Sequence, residues 1–271
     1  MTATDSTAPL PGELTTELLE IAVRAAEAGG AELLARRGAV MKIRYKSTAT
    51  DPVSEADQAS ERVISALLTA ARPADGLLGE EGAARESGTG LRWVVDPLDG
   101  TVNYLYGMPQ FAVSVACEQR YGDEWRAVVG AVHDPVADET FTAVAGAGAW
   151  LGDRRLRAND PVPLERALVA TGFSYRAESR RRQAAVAADI LPRVRDLRRV
   201  GSAALDLCWL AAGRFDGYYE DETSRWDWAA GALVATEAGA VLSPLGHGLV
   251  VAGPALHAQL AAAVSALARD V

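Results

Sequence analysis

Carboxylate side chains are concentrated in three segments of the sequence, each beside an apolar run. In the first segment, Asp96, Asp99 and Thr101 follow directly after the apolar residues 93–95. Carboxylates packed so closely and away from water would have strongly raised pKa values unless a cation lay among them. This segment therefore suggests the binding of a cation.

Two further segments carry acidic residues in comparable surroundings. Glu80 and Glu81 follow the apolar residues 77–78, and Asp227 lies between two tryptophans at the start of an apolar stretch. Each segment alone has an ordinary explanation, namely an Asp-Pro turn, a surface pair of glutamates or a helix N-cap. Together they offer hard oxygen ligands, which suit Mg²⁺ and differ from the Cys and His ligands that are typical of Zn²⁺.

Gly100 permits a tight turn from the apolar segment into a short helix. Pro97 has no backbone N–H to donate and is expected to end the strand at Asp96. The amides that follow Gly100 would then point at a bound anion, as amides do at helix N-termini. A phosphate group would fit this position.

The composition of the 271-residue chain restricts the classes of partner. Its formal net charge is -9 and its sequence pI is about 5.0, so its mean field repels nucleic acid and anionic membranes. An anionic substrate would also be repelled unless a bound metal lay between substrate and protein. With 49% hydrophobic residues, the chain can bury a core as one domain or as two lobes.

The cysteines and the apolar stretches indicate a cytoplasmic protein. Cys117 and Cys208 are far apart in apolar surroundings, which predicts reduced core thiols. The first residues lack the basic and then apolar pattern of a secretory signal, and the apolar stretches are too short to span a bilayer.

Hydrophobic spacing predicts two helices, then a mostly antiparallel sheet, then alternating helices and strands. The stretch 146–163, rich in Gly, Asp, Arg and Pro, is the predicted boundary between an N-terminal lobe, 1–145, and a C-terminal lobe, 146–271. The predicted helices are 15–37, 57–71, 180–190, 202–212, 227–238 and 254–269, and the predicted strands are 76–78, 91–95, 111–118, 127–132, 140–144, 167–171 and 215–219.

The same segments resemble the two signatures of the inositol monophosphatase family of metal-dependent, lithium-sensitive phosphatases. Residues 93–106 resemble the first signature and residues 226–240 the second, in the family's order and separation. Residues 51–57 match the stretch before the family's second helix, and the resemblance extends from about Lys46 to residue 253. Departures from the family pattern lie at Tyr104, Asp221, Glu222 and Arg225.

The resemblance implies a layered α-β-α-β-α sandwich of the inositol monophosphatase and fructose-1,6-bisphosphatase type, a homodimer, and two or three Mg²⁺ ions per active site. The implied metal ligands are Glu80, Asp96, the carbonyl of Leu98, Asp99 and Asp227, with the Thr101 hydroxyl beside the first ion. The residues implied to prepare the attacking water are Asp57, Glu80 and Thr101, with Glu81 behind the ligands. The implied substrate contacts are Asp99, Gly100, Thr101, Ala203, Glu220 and Asp227.

Other phosphatase chemistries fit the spacing less well. Residues 208–214 match the cysteine-phosphatase pattern of Cys, five residues and Arg, but bulky apolar residues replace the loop that would cradle phosphate. Asp96 and Asp99 are three positions apart, whereas the haloacid dehalogenase class places its second aspartate two positions after the first. The histidines are interpreted as structural or surface residues, and they are His133, His247 and His257.

The sequence therefore predicts Mg²⁺-dependent hydrolysis of a small phosphomonoester. Residues 104–109 resemble bacterial inositol monophosphatases, so myo-inositol 1-phosphate is the favoured substrate. Histidinol phosphate, fructose 1,6-bisphosphate and adenosine 3',5'-bisphosphate stay open as alternatives. A regulatory or binding protein that has kept the fold and lost the reaction is an alternative of another class, and the intact acidic set argues against it.

Overall fold

The computed structural model describes residues 10, 12–38, 43–45 and 52–268. Lys46, Asp51 and Arg269, which belong to segments used in the sequence predictions, lie outside these ranges. The helices are α1 (Gly12–Arg36), α2 (Glu55–Ala71), α3 (Thr101–Leu105), α4 (Ala177–Ile190), α5 (Ala203–Ala211), α6 (Arg225–Glu237) and α7 (Pro254–Ala268). The strands are β1 (Ile43–Tyr45), β2 (Pro52–Ser54), β3 (Gly76–Gly79), β4 (Ala84–Arg85), β5 (Leu91–Asp99), β6 (Ala112–Tyr121), β7 (Glu124–Asp134), β8 (Glu139–Val144), β9 (Gly148–Leu151), β10 (Arg154–Arg155), β11 (Leu168–Thr171), β12 (Asp196–Arg198), β13 (Gly217–Glu220), β14 (Val241–Leu245) and β15 (Gly248–Ala252).

Five layers that alternate helices and sheets build the fold. Helices α1 and α2 cover one face of an eight-stranded sheet with the strand order β10-β9-β8-β7-β6-β5-β3-β4. Helices α5 and α6 separate the other face of this sheet from a five-stranded sheet with the order β12-β11-β13-β15-β14. Helices α4 and α7 cover the outer face of the second sheet. The predicted α-β-α-β-α sandwich is confirmed.

Apolar side chains fill each interface between the layers, because a strand presents alternate residues to its two faces and a helix presents one stripe. Trp93 of β5 is fully buried against the helices of the first layer, whereas its neighbour Val94 faces α5 and α6. Tyr218 and Tyr219 of β13 divide in the same way between the inner and outer faces of the second sheet. These alternations fix which side chains of each strand can reach a site between the layers.

Strand β5 does not end at Asp96 as predicted, because it continues through Pro97 to Asp99. Asp96 pairs with Ser114 of β6, Asp99 pairs with Ala112, and the register shifts between the two pairs. A bulge of this kind accommodates a proline, which cannot donate to the ladder. The prediction that Pro97 stops the strand is therefore wrong, and the bulge brings the two aspartates to one irregular strand end.

The hydrophobic pattern does not predict the short strands at the sheet edges. Strands β9 and β10 extend the first sheet beyond residue 145, so that sheet crosses the proposed boundary between lobes. The division into 1–145 and 146–271 stays a proposal. In the second sheet, β14 contains a Ser-Pro pair and β15 begins at a glycine, and both features weaken a strand pattern.

The histidines and cysteines have structural surroundings. His133 is buried with its Nδ1 2.9 Å from Thr140 Oγ1, and His257 Nε2 lies 3.0 Å from Ser243 Oγ. The cysteines are buried free thiols. Among the described residues, none of the helices combines the length and apolar character that crossing a membrane requires.

Candidate active site

The turn from β5 into α3 depends on Gly100. Its φ is 102°, in the left-handed region, and a Cβ placed there would lie 2.9 Å from the carbonyl oxygen of Gln110 and 3.2 Å from Phe111 Cα. Both the dihedral angle and the close packing therefore require glycine. The turn places Thr101 next to the aspartates of β5.

We expect Gly100→Ala to lower both stability and activity. A side chain at positive φ costs roughly 1–2 kcal/mol, and the contact with Gln110 adds to this cost. Thermal denaturation should therefore show a Tm lower by about 4 °C or more. Gly107→Ala is the matched control, because Gly107 also has a positive φ but nothing lies within 4 Å of its Cβ position. Equal Tm values for the two variants would contradict this account of Gly100.

A cavity of about 330 Å³ lies where the end of β5 meets α5, α6 and β13. This volume is within the range of small-molecule sites. The predicted site residues that line it are Glu80, Asp96, Leu98, Asp99, Gly100, Thr101, Ala203, Glu220 and Asp227. The structure therefore brings residues from distant parts of the chain to one cavity.

Asp57 is fully buried in the first turn of α2 and contacts Thr101. The Thr101 hydroxyl oxygen lies 2.9 Å from Asp57 Oδ1 and 3.1 Å from the carbonyl oxygen of Leu98. The hydroxyl has one hydrogen and two lone pairs, so it can donate to Asp57 while its oxygen accepts a hydrogen bond from a water molecule. The contact thus connects a buried carboxylate to the cavity.

The turn after β3 carries Glu80 and Glu81 and is anchored by Glu61 of α2. Glu81 N donates to Glu61 Oε1 at 2.9 Å, and Ala83 N donates to Glu61 Oε2 at 3.2 Å. Glu80 N donates to the carbonyl of Val95 at 3.2 Å. These bonds hold Glu80 beside β5, while Glu81 is absent from the cavity lining.

Burial and the neighbouring carboxylates raise the pKa values of the aspartates that line the cavity. Burial, followed by the charges of Glu80, Asp99 and Asp227, raises the pKa of Asp96 well above its ordinary value. Burial also raises the pKa of Asp99 to about 6. The pKa of Asp227 is raised well above its ordinary value by burial and then by the charges of Asp99 and Glu80. Without positive charge among them, these carboxylates resist ionisation.

Hydrogen bonds hold the aspartates of β5 in their orientations. Leu98 N donates to Asp96 Oδ1 at 3.0 Å. Ser202 Oγ and Ala204 N each donate to Asp99 Oδ2 at 2.7 Å. The start of α5 is thus tied directly to the end of β5.

Asp227 is the third residue of α6, and the N-cap is Ser224. Ser224 N donates to Asp227 Oδ2 at 2.6 Å, as in a capping box. The alternative interpretation of Asp227 as a helix N-cap is therefore wrong, because the N-cap is Ser224, three positions earlier. Its bond to the N-cap uses one carboxylate oxygen, so capping is compatible with a second role in the cavity.

The donor set fits a hard divalent cation by its chemistry. Four carboxylates, a strand-end carbonyl and a hydroxyl belong to residues that line one cavity, and ionised carboxylates at such spacing need a counter-charge. In the described part of the chain, no three Asp, Glu, His or Cys side chains already stand in a geometry that would hold an ion. Ligation of Mg²⁺ by these residues stays a prediction.

The structure adds cavity residues that the sequence analysis missed. Asp206 of α5 is almost fully buried, and burial followed by the charge of Glu220 raises its pKa well above the ordinary value. Burial raises the pKa of Glu220 to about 7, although the Tyr218 hydroxyl donates to its Oε2 at 3.0 Å. An aspartate within the apolar run 203–211 was a detectable signal, whereas Arg176 and Arg199, which also line the cavity, carry none.

The chain is similar to known proteins over most of its length. The model of the inositol monophosphatase family matches residues 14–269. The inositol-1-monophosphatase of Mycobacterium leprae is 45% identical over 258 residues, which cover 89% of this chain and 87% of that protein. A Pseudomonas aeruginosa protein named Nus factor SuhB is 42% identical over 235 residues, which cover 83% of this chain and 84% of that protein. The crystal structure of extragenic suppressor protein suhB from Bartonella henselae has a TM-score of 0.85 at 35% identity, covering 91% of this chain and 98% of that chain.

Proposed function

This chain belongs to the inositol monophosphatase family, and from this premise we propose that it hydrolyses a small phosphorylated polyol in the presence of Mg²⁺. The favoured substrate is myo-inositol 1-phosphate, which would give inositol and phosphate. The family supports phosphoric monoester hydrolysis as the class of reaction. The observation that carries the proposal is the joint lining of one cavity by Glu80, Asp96, Asp99 and Asp227.

Metal binding is the first part of the proposal. The residues that would hold Mg²⁺ are Glu80, Asp96, Leu98 through its carbonyl, Asp99, Thr101 and Asp227. Bound Mg²⁺ would supply positive charge for the phosphate and the leaving oxygen and would lower the pKa of a water molecule. This charge would also reconcile the acidic cavity with an anionic substrate.

Asp57 and Thr101 would prepare the attacking water. The Thr101 oxygen accepts a proton from the water while its own hydrogen passes to Asp57 along the 2.9 Å contact. Glu80 accepts the second hydrogen bond of the water and orients it. The water oxygen then attacks phosphorus, the bond from phosphorus to the alcohol oxygen breaks, and that oxygen takes a proton from solvent.

Gly100 and Thr101 would contact the phosphate, and Ala203 and Glu220 would contact the alcohol. Glu220 is suited to accept hydrogen bonds from a polyol, because Tyr218 holds its carboxylate at 3.0 Å. Gly172 lies directly against the same carboxylate and leaves no room for a Cβ. The position of Glu220 is therefore well defined before a substrate binds.

Location, assembly and inhibition belong to the proposal as well. The buried free thiols of Cys117 and Cys208 are consistent with a reducing, cytoplasmic setting. A homodimer and sensitivity to lithium rest on the family resemblance.

A second candidate function is a regulatory or binding role on the same fold. It is favoured by the Pseudomonas aeruginosa relative, which is named as a Nus factor. The net charge of -9 opposes direct binding of nucleic acid to this chain. A pure binding protein would release no phosphate, so a phosphatase assay distinguishes the two candidates.

We expect Mg²⁺-dependent phosphate release, with the highest kcat/KM for myo-inositol 1-phosphate. Glu220 suits a ring of neutral hydroxyls, and the arginines of the cavity disfavour the ammonium group of histidinol phosphate. The assay compares these two substrates with fructose 1,6-bisphosphate and adenosine 3',5'-bisphosphate, and chelation of Mg²⁺ is the control. Failure to release phosphate from any of the four at saturating Mg²⁺ would contradict the proposed reaction. A different order would contradict only the choice of substrate.

A further inference from the structure

Two exposed arginines, Arg176 and Arg199, line a cavity whose other charged residues are acidic. Arg176 directly precedes α4, and Arg199 follows β12. Within the described part of the chain, neither guanidinium group has a hydrogen-bond or ion-pair partner. The nearby Arg182, in contrast, is paired with Glu222 at 2.7 Å. The arginines of the cavity are therefore available to a ligand.

Arg199 lies close to the residues proposed to contact the alcohol. Its charge acts on Glu220 and Asp206, where it opposes the larger effect of burial on the pKa of each carboxyl group. Its guanidinium group packs against Gly201, two residues before Ala203. A negatively charged group on the alcohol part of a substrate would thus meet Arg199.

Arg176 lines the same cavity, and its charge acts on Glu222. Glu222 already accepts hydrogen bonds from Ser179 Oγ and Arg182 Nη2, both at 2.7 Å. The charge of Arg176 reaches Glu222, but no direct bond joins the two side chains among the described contacts. Arg176 is therefore not needed to balance Glu222.

We propose that Arg176 and Arg199 form a second anion-binding position at the rim of the cavity, which takes a phosphate group carried by the alcohol part of the substrate. The inference rests on the proposed function and extends its substrate class from monophosphates to polyols that carry a second phosphate. Guanidinium groups bind phosphate through paired, charge-assisted hydrogen bonds, and arginines without protein partners lose none when they do so. The first phosphate would occupy the acidic end with Mg²⁺, and the second would occupy the arginine end.

A competing explanation is that the two arginines only offset the negative charge of the cavity wall. In that case their removal would affect every anionic substrate alike. The second-anion position instead predicts an effect that depends on the number of phosphates. The ratio of kcat/KM for a bisphosphate to kcat/KM for the matching monophosphate therefore separates the two explanations.

The test measures kcat/KM for inositol 1,4-bisphosphate and for inositol 1-phosphate and takes the ratio of the first to the second. It is carried out on the wild type and on the variants Arg176→Gln and Arg199→Gln. Each substitution should lower the ratio about tenfold, mainly through KM of the bisphosphate, as expected for loss of one charge-assisted contact at a partly exposed site. Arg181→Gln is the matched control, because Arg181 is an exposed arginine of α4 that does not line the cavity. It should leave the ratio unchanged.

Two results would overturn the inference while phosphatase activity persists. In one, neither Arg176→Gln nor Arg199→Gln changes the ratio of kcat/KM values from that of the wild type. In the other, both variants lose kcat/KM equally for the bisphosphate and the monophosphate. If neither substrate is hydrolysed by the wild type with Mg²⁺, the proposed function itself fails. Circular dichroism of each variant checks that it is folded.

Discussion

Asp96→Asn is expected to remove most phosphatase activity and to leave the fold intact. Asp96 is almost fully buried at the bulge of β5 and is surrounded by the charges of Glu80, Asp99 and Asp227. Because Asp96 is proposed as a metal ligand, its loss should lower kcat by about 10²- to 10³-fold or more, since a bound metal would stabilise the transition state by several kcal/mol. Asparagine is nearly the same size and can still accept the hydrogen bond from Leu98 N, so the strand end should keep its structure.

The same substitution should not destabilise the metal-free protein. Burial penalises the charged form of Asp96, and a neutral amide removes this penalty. Asp134→Asn is the matched control, because Asp134 is a buried aspartate at the end of β7 that accepts hydrogen bonds from Val136 N and Ala137 N and does not line the cavity. Steady-state kinetics and thermal denaturation of both variants check the two effects. Turnover by Asp96→Asn at near the wild-type rate would refute the proposed role of Asp96.

The helices could be predicted from sequence because their apolar stripes repeat over several turns. Helices α1 and α2 were expected at residues 15–37 and 57–71 and lie at Gly12–Arg36 and Glu55–Ala71. The edge strands offered no such repetition, since β10 has two residues and both are exposed. The predicted end of β5 at Asp96 was wrong because it rested only on the missing N–H of Pro97. The register shift between β5 and β6, which accommodates the proline, depends on strand pairing. Pairing between strands is thus the information that the single sequence lacked.

The acidic side of the site was predictable because its residues lie beside turn-forming and apolar residues that mark strand and helix ends. Asp96 and Asp99 surround a proline and precede Gly100, and Asp227 opens an apolar helix. The support of the site was not predictable, because it depends on contacts between distant residues. Ser202 holds Asp99, and Glu61 holds the turn of Glu80. The arginines of the rim lacked a signal for another reason, since the chain contains 27 Lys and Arg residues and most are unrelated to the cavity.

Without Mg²⁺, the free energy of unfolding of the protein is expected to fall as the pH rises from about 4 to about 7. In the metal-free cavity, burial raises the pKa of Asp99 from 3.8 to about 6 and that of Glu220 from 4.5 to about 7. Both groups are neutral in the folded protein at a pH where they are ionised in the unfolded chain, so the folded state binds more protons. The free energy of unfolding then falls with rising pH, and the shifts of Asp96 and Asp227 act in the same direction. A shift of one pKa unit corresponds to about 1.4 kcal/mol, so the total change should reach roughly 2 kcal/mol or more.

Saturating Mg²⁺ should remove this loss or reverse it. A bound cation requires ionised carboxylates, so binding of Mg²⁺ releases protons and becomes stronger as the pH rises. Thermal denaturation from about pH 5 to about pH 8, with EDTA and with Mg²⁺, would therefore give curves that diverge towards high pH. In EDTA, Glu220→Gln should make Tm depend less on pH near neutral pH, because it removes the group with a pKa of about 7. Parallel curves with and without Mg²⁺ would show that the cavity does not bind the ion, whatever the enzyme activity. Because this measurement needs no substrate, it tests the metal site separately from the reaction and would detect a metal-binding protein that has lost catalysis.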